Sequence, residues 1–138
     1  MPRPVTSYSL LLGLLAIAAT WVRSPAHAEI SQDRKAELHG IAASCAAFYQ
    51  AAFFELDLPI EGNEAKRKKY VAVVDALSEQ LLEPKDRKPW FEEHVVRRSS
   101  TVVTLLQLQP EHAGPKVQEN LPKCDALLPE MMQAAGLE

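Results

Sequence analysis

The sequence predicts an all-α protein: an antiparallel four-helix bundle with a kinked last helix, preceded by a cleaved signal peptide. Three observations carry this. Apolar residues recur at three- and four-residue steps through most of the chain, prolines divide these stretches into four, and no hairpin signal separates strand-like runs.

The chain has 138 residues and a net charge of −3. Its first 28 residues read as an export signal. Met1-Pro2-Arg3-Pro4 is a cationic start, Leu10 to Ala19 is an apolar core, and Ala26-His27-Ala28 is a small-x-small cleavage site. The core is too short for a comfortable transmembrane anchor. No cysteine stands directly after the cut, so no lipoprotein site is expected, and no arginine pair precedes the core. Cleavage leaves residues 29–138 as one domain of 110 residues. It removes Arg3 and Arg23 and takes the charge to −5, which argues against nucleic-acid binding. The expected location is the periplasm or the exterior, and the mature protein is not expected to span a membrane.

The first helix starts at an N-cap on Ser31 and runs towards Asp57. Leu38, Ile41, Cys45, Phe48, Ala52 and Leu56 form its apolar stripe. Tyr49, Phe53 and Phe54 broaden that stripe. They cannot all face one way, so either the helix is central and buried all round or one aromatic edge is open. Leu58-Pro59-Ile60-Glu61-Gly62 ends the helix.

Asn63 is the expected cap of the second helix, whose apolar face is Tyr70, Val73, Val74, Leu77 and Leu81. Asp86 is the expected cap of the third, with Pro89 in its first turn and Trp90, Val95, Val102, Leu105 and Leu106 inward. The β-branched runs Val95-Val96 and Thr101 to Thr104 stay helical in this reading, because no turn divides them from Trp90 and a lone strand has no partner. Gln109 to Pro115 reads as a turn. The last helix carries Val117, Leu121, Cys124, Leu128 and Met131, and Pro115, Pro122 and Pro129 predict a break or kink with a restart near Asn120. Ala134 to Glu138 is expected to fray.

Cys45 and Cys124 each lie at the centre of an apolar stripe, the first and the last. In an exported protein one disulfide between them is expected, closing the bundle. The closed loop is long, so chain entropy gives about 4–5 kcal/mol if the bond is unstrained. The alternative, a reactive redox pair, normally has close spacing.

Catalytic motifs are missing from the sequence. There is no Gly-x-Ser-x-Gly, no phosphate-binding glycine loop and no His-Glu-x-x-His, and the scattered carboxylates nominate no acid/base pair. No catalysis, no cofactor and no metal ligand set is assigned. His94 beside Glu92-Glu93 reads as a solvated face. A haem carrier using His39 and Met131 is a weaker reading, since the six residues from His39 to Cys45 turn the histidine about 120° off the cysteine face.

Two groups remain as partner-binding candidates. One is the aromatic edge at Phe53 and Phe54. The other is the basic run Lys66, Arg67, Lys68 and Lys69, whose place near a helix N-terminus is electrostatically unfavourable and suits an acidic partner or weak contact with an anionic surface. The leading expectation is thus an exported helical protein that binds an unidentified envelope protein, as adaptor, inhibitor or accessory subunit. The alternative is an acid- or stress-responsive periplasmic chaperone, loosened as Glu92, Glu93 and Asp125 take up protons.

Overall fold

A computed structural model describes residues 29–56 and 60–137. The expected signal peptide and its cleavage site lie outside the described residues. The described residues form an all-α bundle of four long helical arms with no strand among them. No described helix is long and apolar enough to cross a membrane.

Helix α1 (Gln32–Glu55) starts where the sequence predicts: the Ser31 hydroxyl accepts the Arg34 N–H at 3.1 Å. It is buried nearly all round. Leu38, Ala42, Ala43, Ala46, Ala47 and Ala51 have no exposed surface, so the alanine pairs let neighbours approach from several sides. An amphipathic helix buries one stripe, and a central one buries all of them.

Helix α2 (Ile60–Leu81) runs antiparallel to α1, with Lys35 on Gln80, His39 on Ser78 and Tyr49 on Tyr70. Asn63 is not its cap. The helix already starts at Ile60, so Asn63 lies inside it, buried, with its side-chain N–H₂ unpartnered among the described residues. The basic run therefore sits beyond the first turn, away from the positive helix end.

Helix α3 (Pro84–Phe91) begins at Pro84, which needs no N–H in the first turn, so Asp86 is inside the helix and not its cap. Arg87 reaches back to the Leu82 and Glu79 carbonyls at 3.2 and 3.3 Å, covering the end of α2. The chain continues through a π-helical turn (Glu92–Arg97) into α4 (Arg98–Leu108). The β-branched run is helical, as expected, but the extra-wide turn had no sequence signal.

Helix α5 (Pro110–Ala135) corrects the end of the chain. The segment Gln109 to Pro115 is not a separate turn, because Pro110 opens the helix itself. Nor does the helix restart near Asn120: Pro115, Pro122 and Pro129 are all internal. Their seven-residue spacing puts them on one face, and all three are exposed. The opposite face buries Val117, Leu121, Cys124 and Met131. Ala134 and Ala135 are buried and do not fray. Gly136, at φ 72°, makes a left-handed cap in which Leu137 N–H reaches the Met132 carbonyl at 2.9 Å.

In this bundle α1 packs on α2, on α5 and on the π turn with α4. Helix α5 also packs on α2 and α4, while α2 and α4 share no substantial contact. One seam of the bundle is therefore open over α1.

Candidate functional site

The Cys45–Cys124 disulfide joins α1 to α5, with Cα atoms 5.7 Å apart and 79 residues between them in sequence. It fixes the register of its neighbours. Tyr49 lies one turn after Cys45, and Asp125 follows Cys124. Asp125 Oδ1 accepts from Tyr49 Oη at 2.7 Å and Tyr70 Oη at 2.8 Å, while Oδ2 accepts from Lys66 Nζ at 2.6 Å. Burial pushes the Asp125 carboxyl up, but the bonds from Lys66, Tyr49 and Tyr70 outweigh it and the net shift is down. Burial, then the bond to Asp125, drives both tyrosine hydroxyls up. A carboxylate this fully bonded is a tie, not an acid or base in waiting. Farther along the same seam, Arg34 holds Glu130 with two bonds of 2.7 and 2.8 Å.

The opposite seam differs. Between α2 and the π turn with α4 runs an apolar groove of about 570 Å³. Ala46, Gln50 and Phe54 of α1 line one side and Val95, Val96 and Val103 the other, with Phe91 and Val71 also present. Arg67 is the one charged side chain among the lining residues. The volume lies within the range of pockets that bind small molecules or anchor a partner's side chains. Phe54 is 64% exposed and Val96 is 50% exposed, which is costly unless something covers them. A π turn forms one wall, and such turns often mark functional sites.

The candidate residues separate on these two seams. Phe54 and Arg67 come together at the groove. Phe53, half-buried, braces Phe54 edge-to-face at 5.1 Å. Lys66 is drawn to the other side by Asp125, Lys68 pairs with Glu64 at 3.3 Å, and Lys69 is exposed. The basic run is thus not one patch, since a helix spreads four consecutive residues around its axis.

Behind the π turn, His39 is buried at 3% exposure. Its ring stacks on Trp90 at 3.7 Å, Trp90 leans on His94 at 4.2 Å, and its Nε2 lies 2.8 Å from Ser78 Oγ. Burial, helped by the charge of His94, lowers its pKa to about 4. With its face covered and Nε2 engaged, His39 is packed as a core residue, which leaves the haem reading no open ligand there. Met131 is fully buried. Among the described residues no group of three or more His, Cys, Asp or Glu is placed to hold a metal ion.

The sequence reading missed the His39–Trp90 stack, the Asp125 tie and the groove wall at Val71, Phe91 and Val96. The tie had a signal: once the cysteines are joined, Tyr49 and Asp125 must meet. The stack and the groove depend on a π turn and on which outer helices touch, neither of which leaves a local pattern. In comparison with known proteins, the chain matches no family model, no curated protein and no solved structure.

Proposed function

We propose that this is an exported, non-enzymatic helical protein that acts by contact with a partner protein, as an adaptor, inhibitor or accessory subunit. The observation that supports it best is the open groove with Phe54 and Arg67 among its lining residues, an uncovered apolar surface in which Phe54 and Val96 lie together. Export is supported by the signal-like start and by the disulfide, which persists in oxidising compartments such as the periplasm. The net negative charge of the mature chain disfavours nucleic acid as the partner. Lys68 and Lys69 leave room for weak contact with an anionic surface.

The test is site-specific photocrosslinking in the protein's own cells. A crosslinking residue at Val96 should capture one envelope protein in near-equal amount, and one at exposed Gln133 on α5 should not. Equal yields from both positions, or none from Val96, would overturn the reading. The captured mature protein should begin at Glu29. An uncleaved chain with two free thiols would overturn export.

A second reading, an acid-responsive chaperone, is favoured by one observation: His39 is buried against Trp90, and that burial lowers its pKa to about 4. Asp125 does not serve as the trigger, because its bonds hold it ionised to lower pH. This reading requires dye-accessible apolar surface near pH 4 with the disulfide intact, and it fails if the protein stays compact there.

A further inference from the structure

We infer that the groove between α2 and α4 takes an amphipathic helix of the partner, and that this helix presents a carboxylate to Arg67. The inference rests on the protein-contact reading and names the kind of partner.

The groove has the form of a helix-packing furrow. On α1 its side repeats at four-residue steps through Ala46, Gln50 and Phe54. On the π turn and α4 it repeats at the same step through Val96, Ser100 and Thr104. These arms run parallel, since Arg98 bonds Ser44 and Gln107 bonds Glu55 farther along both. Two ridges of the same step and direction leave a furrow that a third helix's ridge fits. Ala46 and Ser99 are small and buried, and form the floor of the furrow. The two ridges, Ala46 to Phe54 and Val96 to Thr104, each run eight residues, about 12 Å at helical rise, which matches about two turns of a partner helix.

Charge chooses among helices. Arg67 makes no ion pair among the described residues, and no acidic side chain lines the groove. A guanidinium at the edge of an apolar furrow is matched by a carboxylate, which it binds with two parallel bonds. The partner helix therefore has an apolar stripe at i, i+3, i+4 and i+7, flanked by Asp or Glu. An acyl carboxylate shares the charge but would lie half in water along an open groove. The hydroxyls of Ser99, Ser100 and Thr104 suit the polar margin of a helix better.

The test is a display selection of 14-residue helical peptides, with apolar stripe and flanking charge both varied, on the oxidised mature protein and its Arg67→Glu and Phe54→Asp variants. The wild type should enrich peptides with Asp or Glu at one fixed position beside the stripe. Arg67→Glu should enrich Lys or Arg at that same position, and each peptide should bind the mismatched protein at least tenfold more weakly by fluorescence anisotropy. Phe54→Asp should enrich neither. Enrichment without a charge preference, or no enrichment, overturns the inference. So does Arg67-dependent binding of dodecanoate that displaces the peptides, or a dimer abolished by Phe54→Asp. If Val96 still crosslinks to one envelope protein when the charge swap has no effect, the helix inference falls and the protein-contact reading stands.

Discussion

The two seams of α1 are built by opposite means. Against α5 it is held by a disulfide, by Arg34 on Glu130 and by a carboxylate that ties Tyr49, Tyr70 and Lys66. Against the arm of α3, the π turn and α4 it is held by the His39–Trp90 stack, by small side chains and by two polar bonds, Arg98 on Ser44 and Gln107 on Glu55, and an apolar groove is left open. A bundle of this size can leave apolar surface uncovered on one side when its other side is locked. The covalent and ionic ties thus lie on one face of α1 and the uncovered apolar surface on another.

The largest effect should come from the locked seam. Cys45→Ser with Cys124→Ser should cost about 3–5 kcal/mol in urea unfolding, because the loop that the bond closes is long. Reduction of the wild type should cost a similar amount. A loss below about 1 kcal/mol would show that packing and ion pairs hold this seam without the bond.

The next effect belongs to the open side. His39 titrates near 4 in the folded protein and near 6.5 when unfolded. Between these values the unfolded chain binds the extra proton, so stability is fully present above about pH 6.5 and falls as the pH drops towards 4. The loss is about 3 kcal/mol at most, since the shift is from 6.5 to about 4 and one unit is about 1.4 kcal/mol. His39→Gln should flatten this part of the stability curve in denaturant titrations at several pH values. An unchanged slope would place the titration elsewhere. Because the π turn carries both His94 of the stack and Val96 of the groove, hydrogen exchange at pH 4.5 should rise first in Glu92–Arg97, before α5.

Asp125→Ala comes third. It strands the hydroxyls of two buried tyrosines, Tyr49 and Tyr70, and should cost about 2 kcal/mol, while Tyr70→Phe should cost about 1 kcal/mol. The Asp125 carboxyl is held low, so its contribution is present above about pH 4 and is lost only as the pH falls through its lowered folded value. The two seams should therefore fail in separate pH ranges, His39 first and Asp125 below it.

The locked seam was also the more legible one in the sequence. Each cysteine marks the centre of an apolar stripe, and their pairing fixes helix order and register without any structure. The stretches that resisted reading are those where local rules were overruled by packing. Pro115, Pro122 and Pro129 argue for a broken helix by their chemistry, yet their common exposed face lets α5 run through. Asn63 has the chemistry of a cap, but Ile60 starts the helix a turn earlier. Phe54 and Arg67 were both visible as candidates, but their meeting was not. It depends on α2 and α4 standing apart, a property of the whole assembly that no window of sequence contains.

The smallest stability effect should accompany the largest functional one. Phe54 is mostly exposed, so Phe54→Asp should change unfolding free energy by no more than about 0.5 kcal/mol. The same change places a carboxylate in the groove beside Arg67, where it would fill the place of the proposed partner's acid and remove an apolar side chain. Crosslinking from Val96 should then be lost while the melting curve stays put. Because Phe53 loses its edge-to-face neighbour, Phe54→Leu serves as the companion variant: it keeps an apolar anchor, adds no charge and should retain most of the crosslink. If Phe54→Asp destabilises the protein by more than about 2 kcal/mol, the ring is part of the core. The division between a locked face and a binding face then fails at the residue that defines it.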